Sequence, residues 1–122
     1  MKLPPRNYAK PKRKNAPLQS AKHRAFVRKH KCIVNNPAEC DEYHAIEAAH
    51  YRTAANSGMG RKPDDSWLVP CCRKHHREQH DVGQAEFERR YGINMAATAR
   101  ALAEISPDPL IRSALTGAAV NS

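Results

Sequence analysis

Acidic residues are missing from the first 38 positions of this 122-residue chain, where the first carboxylate is Glu39. Core-forming residues are scarce as well. Leu, Ile, Val and Phe number 18 of 122, below the ~20% at which a chain begins to look unable to fold unaided. There are one Trp and two Phe, so no large aromatic core can form. No apolar run approaches the ~18–20 residues of a membrane span, which excludes a transmembrane helix. The opening MKLPPRNYAKPKRKN has charges but no apolar stretch, so it does not read as a secretory signal. A reducing, cytoplasmic setting is therefore expected. There, four cysteines point to metal rather than to disulfides. A chain this short holds one domain at most, and a core this thin needs a staple such as a bound metal.

What is abundant is positive charge. The net charge is +9, the pI about 9.7 and the mean hydropathy −0.79. Eleven Lys and Arg fall within residues 1–31, among them Lys10, Lys12, Arg13 and Lys14. The rest of the chain has 10 basic and 12 acidic side chains, so the whole surplus sits in an N-terminal arm. Such an arm suits a polyanion, because neutralised phosphates release condensed counterions. A solvated tail that keeps the protein soluble is the plainer alternative.

Residues 1–19, rich in Pro and charge, are expected to be disordered or extended. Ser20 is placed to N-cap a helix over about 21–30. Cys32-Ile33-Val34 reads as a short strand, followed by an Asn35-Asn36-Pro37 turn. Tyr43 to Tyr51 alternates weakly and suits a strand, although its alanines also suit a helix. Gly58, Gly60 and Pro63 predict a loop over 52–66. Trp67 to Pro70 reads as a second strand. Helices are predicted over Arg73 to His80, stopping near Gly83, over Gln84 to Tyr91, ended by Gly92, and over Met95 to Ile105. Ser106-Pro107-Asp108-Pro109 breaks the last of these, with a loose turn or two over 110–119.

The metal-binding residue types are clustered. Cys72-Arg73-Lys74-His75 forms a C-x-x-H knuckle at the mouth of a predicted helix. Together with Cys32 and Cys40 it would make a closed Cys₃His zinc site. Cys32 and Cys40 are separated by seven residues, wider than the usual two to four, and four buried thiols without metal are the alternative. Cys71 is left over and reads as a small buried hydrophobe. His76 and His80, at i and i+4, share one helix face and suit a divalent ion. The pair resembles the H-E-x-x-H spacing of zinc peptidases, but Arg77 stands where the Glu belongs. An ordinary solvated helix face would also carry such a pair.

In order, the pieces read Ala49-His50, then Gly58-Met59-Gly60-Arg61-Lys62-Pro63-Asp64-Asp65, then Val69-Pro70-Cys71-Cys72-Arg73-Lys74-His75-His76, then Glu78-Gln79-His80. The combination resembles HNH nucleases of the ββα-metal fold. It is similar in detail to small phage and prophage HNH proteins, including the recombination-associated Ref-type nucleases. The resemblance covers about residues 21–93. It implies an α+β fold: a small zinc-stabilised ββα-metal core with flanking helices and a disordered basic arm. The expected organisation is an arm over 1–19, a nuclease domain over 20–93 and a helical extension over 94–122.

The resemblance also implies roles. His50 would be the general base. His76 and His80 would hold a catalytic Mg²⁺ or Mn²⁺, with Zn²⁺ possible, and Arg52, Arg61 and Lys62 would clamp phosphates. The partner would be DNA, with a recombinase filament as a further candidate, in a bacterial or phage-infected cytoplasm. Two positions depart from the pattern. Ala49 stands where many such enzymes place a third metal ligand, and Trp67 where many place Asn. Glu47, Asp64, Asp65 or water are the candidates for the vacant ligand. Two functions follow: a metal-dependent DNA endonuclease, or a zinc-stapled DNA-binding module that has kept the scaffold without catalysis.

Overall fold

The computed structural model describes residues 17–52 and 63–120, with side chains to residue 114. Lys10, Lys12, Arg13, Lys14, Arg61 and Lys62, with the glycine loop around Gly58 and Gly60, lie outside the described residues. The described chain is mixed α+β, with a two-stranded sheet, one 3-10 turn and five α-helices.

Helix α1 spans Ala21–Val27, and the Ser20 hydroxyl accepts the His23 N–H at 3.0 Å as its N-cap. It ends three residues short of the expected limit. There the His30 ring donates from Nδ1 to the Phe26 carbonyl at 2.9 Å, and the backbone tightens to i→i+3 bonds at Lys29 and His30. A side chain thus satisfies a carbonyl that further helix would have used. Leu18 belongs to the fold, packing on Ala103 and Ile111 and donating its N–H to Asp64 Oδ1 at 2.7 Å.

Strands β1 (Glu47–His50) and β2 (Leu68–Cys71) pair antiparallel, with Ala49 opposite Val69 and His50 opposite Leu68. Trp67 belongs to the 3-10 turn Asp65–Trp67 rather than to the strand. All four residues of β2 are buried, because both faces are covered. Ala49, Val69 and Cys71 pack with Phe87, Met95 and Ala99. On the opposite face, Leu68 packs with Val27 and Leu102.

The strand expected at Cys32–Val34 does not form. Ile33 donates its N–H to the Pro70 carbonyl at 2.8 Å, but a proline has no N–H to return. Pairing therefore stops at one bond, and Val34 and Asn35 turn away, Asn35 at φ 48°.

Helices α2 (Arg73–Val82), α3 (Gln84–Tyr91) and α4 (Met95–Glu104) follow the sequence pattern closely. Gly92, in the left-handed region at φ 61°, closes α3. Helix α5 is longer than the loose turns expected, spanning Pro109–Val120. Pro109 at its first turn needs no N–H donor. Asp108 Oδ1 accepts the Leu110 N–H at 2.9 Å, and the Asp108 carbonyl accepts from Ile111 and Arg112. The Pro-rich break is therefore a helix start.

Buried polar groups bind α1 to the α4–α5 corner. Ser20 donates its hydroxyl to Asp108 Oδ2 at 2.5 Å, and the fully buried His23 shares a 2.8 Å bond between Nδ1 and the Ser106 hydroxyl. Burial lowers the His23 pKa below its ordinary 6.5 despite the pull of Asp65 and Asp108. The unfolded chain then binds a proton that the folded chain resists. Stability should fall as pH drops below about 6.5, by up to about 1.4 kcal/mol per pH unit. Thermal melts of the zinc-loaded protein between pH 8 and 5.5 check this, with wild type losing more stability on acidification than His23→Gln.

Candidate functional site

Cys72 ends β2's run and begins α2. Its thiol accepts the His75 N–H at 3.4 Å as the helix N-cap, and the helical turn brings His75 Nδ1 to within 3.0 Å of the same sulfur. The loop after α1 delivers Cys32 and Cys40, with sulfurs 3.6 and 3.7 Å from that nitrogen. The four donor atoms lie within 4.8 Å of one another. A tetrahedral zinc with Zn–S near 2.3 Å and Zn–N near 2.0–2.1 Å sets an S···N edge of about 3.6 Å. The donor set and its spacing therefore fit a zinc-class ion, and this cluster can bind one. The wide Cys32–Cys40 separation is absorbed by the turn at 36–40, where the Cys40 and Glu39 N–H groups bond the Asn36 carbonyl.

The electrostatics fit a cation. The Cys40 thiol is pushed up to about 11, by burial and by crowding from Cys32 and Cys72. Cys32 is shifted well down because the Cys71 thiol donates to it, helped by the Cys72 and Val34 N–H groups, and Cys71 is raised correspondingly. Cys71 is fully buried, as expected of a packing residue. The His75 ring is enclosed by α3, 5.1 Å from Tyr91 edge-on and 6.3 Å from Phe87.

The second histidine group lies on the same helix. His76 and His80 rings are 5.0 Å apart. Glu47 on β1 accepts from His76 Nδ1 at 2.8 Å. A carboxylate only accepts, so His76 Nδ1 carries a hydrogen, and whenever the ring is neutral its Nε2 has a lone pair to offer a cation. His80 is held below its ordinary pKa by burial, and by the charges of His76 and Arg52, which favours the neutral, ligating form. Between them in sequence, Gln79 donates Nε2–H to the His50 carbonyl at 3.1 Å. Gln84 accepts the Arg52 N–H and donates to the Arg52 carbonyl. Two glutamines thus hold the backbone leaving β1 over the His76–His80 face, and Arg52 lines a small cleft with His80.

His50 lies on the other face of β1, its Nε2 3.0 Å from Asp65 Oδ1. The candidates for a third ligand are accounted for differently. Asp64 takes the Leu18 N–H, Asp65 takes His50, and Glu47 reaches His76. Ala49 is fully buried in the core. Among the described residues, the Cys₃His group is the one set of three or more metal donors within 4.8 Å, so His76, His80 and Glu47 do not form a second set of that tightness. Gln79, Gln84, Arg24 and Asp65 entered this arrangement through partners far away along the chain. No local spacing signals them.

Fold and cluster define a small α+β protein with a Cys₃His cluster that can bind a metal, joining the loop after α1 to the start of the helix that follows the β-hairpin. Residues 2–106 match the family described as "Protein of unknown function (DUF968)", and the chain belongs to that family. It is 33% identical over 63 residues to "Uncharacterized protein YdfU" of Escherichia coli (strain K12), a match covering 52% of this chain and 18% of that protein. The chain thus spans less than a fifth of the curated relative. No solved structure matches significantly. No helix among the described residues is long and apolar enough to cross a membrane.

The purified protein should hold about one zinc per chain, and Cys72→Ser or a strong chelator should release it and unfold much of the chain, since metal binding is folding free energy in such small cores. Elemental analysis and circular dichroism read both effects. A folded, metal-free preparation would contradict the assignment.

Proposed function

We propose that the chain is a metal-dependent DNA endonuclease of the HNH type. The observation that carries this reading is one hairpin–helix unit. It presents His50 at the end of β1, on the α1 face of the strand, and the His76/His80 pair on α2, where Glu47 from the other strand face orients His76. The Cys₃His cluster pins the start of that helix to the loop behind the hairpin, so both halves are held in register. His50 takes the proton from the attacking water. His76, through Nε2, and His80 would hold a Mg²⁺, Mn²⁺ or Zn²⁺ ion. When bound, such an ion supplies charge stabilisation at the scissile phosphate and leaving oxygen. Arg52 neutralises the phosphate backbone beside it. A cleft of about 510 Å³ next to the cluster is lined by Arg28, Lys29 and Lys31 on one side and also by Asp41 and Glu42.

A second reading, a zinc-stapled DNA-binding module without catalysis, is favoured by one observation: buried Ala49 stands at the usual third-ligand position. The two readings separate on cleavage. His50→Ala should lower plasmid cleavage about 10²–10⁴-fold, with zinc content and DNA affinity near wild type. His80→Ala should also lose cleavage, but excess Mg²⁺ or Mn²⁺ should restore part of it. Wild type that cuts no better than either variant would leave the binding module.

The arm is tested separately. Deleting residues 1–16, which spares the packed Leu18, should weaken DNA binding. The log–log salt dependence should flatten by about 0.9 for each phosphate that the arm no longer neutralises. An unchanged slope would make the arm a passive tail.

A further inference from the structure

We propose that Asp65 is the positioning residue of His50, holding its ring with the hydrogen on Nε2 so that Nδ1 is the atom that receives the proton from water. This inference rests on the endonuclease reading.

The argument is geometric. Asp65 is 4% exposed, and a buried carboxylate must be fully hydrogen-bonded to be tolerated. Its Oδ1 lies 3.0 Å from His50 Nε2. Its Oδ2 accepts the Ser20 N–H at 2.7 Å and lies 3.4 Å from Arg24 Nε. With donors on both oxygens, the carboxylate cannot rotate away. An ionised carboxylate has only lone pairs to offer, so His50 Nε2 must bring the hydrogen. A neutral imidazole has one N–H, which leaves Nδ1 bare. The His50 side chain is 22% exposed, enough for one edge of the ring to meet water.

Ser20 is itself fixed, because it caps α1 and donates to Asp108. Helix α1 therefore supports the base through one carboxylate. Trp67 stands where many HNH enzymes place Asn, and Asp65, two residues earlier, is the side chain that meets His50. The same contacts remove Asp65 from the candidate ligands of the His76/His80 ion. Both of its oxygens are already engaged from β1 and α1.

The experiment uses the full chain loaded with zinc. Long-range ¹H–¹⁵N spectra at neutral pH give the tautomer of each histidine, with His50→Ala assigning the signals. The expected result is His50 as Nε2–H in wild type. In Asp65→Asn, whose amide can donate as well as accept, Nδ1–H should become populated. Cleavage by Asp65→Asn should fall through kcat rather than KM, toward the roughly 10⁴-fold seen when an Asp-to-Asn change gives a catalytic His the wrong tautomer. In a His50→Ala background the same substitution should cost nothing further. Wild-type His50 found as Nδ1–H would overturn the proposal, and this spectrum needs no variant to fold. So would an equal loss of cleavage with and without His50, which would make Asp65 a strut for α1 only. Wild type that holds Nε2–H, loses it in Asp65→Asn, yet cuts no DNA would uphold the positioning and overturn the endonuclease reading.

Discussion

Among the described residues, the joint on which the hairpin and the following helix depend is the meeting of three sulfurs with one imidazole nitrogen. Cys32, Cys40 and Cys72 approach His75 Nδ1 at 3.0 to 3.7 Å, a spacing that fits the size of a tetrahedral ion. The cluster ties the loop after α1 to the point where β2 gives way to α2. That junction determines where His76, Gln79 and His80 face, because they occupy the next two turns of the same helix. With 18 large aliphatic and Phe side chains in the chain, hydrophobic burial alone is a weak constraint on that geometry.

Where apolar material is thin, polar contacts take its place. The carboxylate of Asp65 gathers His50, Ser20 and Arg24. Burial pushes its pKa up, but those three donors outweigh the effect and hold it below the ordinary range. Hydrogen bonds to a charged group are each worth about 1.5–3 kcal/mol, and removing one partner from a buried group costs more than the bond contributed. The Ser20–Asp108 and His23–Ser106 bonds extend the same network to the corner between α4 and α5. The end of strand β1 is held in like manner, its backbone groups taken by Gln79 and Gln84. His50, Asp65 and the α2 histidines are thus located by polar contacts at both faces of a four-residue strand.

Much of this was legible in the chain. The Cys₃His cluster could be read because the cysteines are few, and a C-x-x-H at a helix start has a fixed reach. The end of α3 followed from Gly92, and the end of α4 from the Ser106-Pro107-Asp108-Pro109 break. The reading failed where a distant partner decided the outcome. Cys32–Val34 has strand-forming residues but meets Pro70, which cannot complete a ladder. Residues 109–120 looked too interrupted for a helix, yet Asp108 caps them and Ile111 is buried against Ala103.

Local chemistry along the chain therefore settled which residues can bind metal, where most helices begin and end, and where positive charge accumulates. Each of these depends on neighbours within a few positions. Tertiary structure alone decided which carboxylate meets which histidine. Glu47, Asp64 and Asp65 are equivalent as sequence, all acidic and all near a strand. Only the hairpin register puts Glu47 on the α2 face and His50 on the α1 face, and only the docking of α1 brings Ser20 and Arg24 to Asp65. An imidazole's tautomer follows from its partner, so the chemistry assigned to each histidine comes from contacts that no linear spacing encodes.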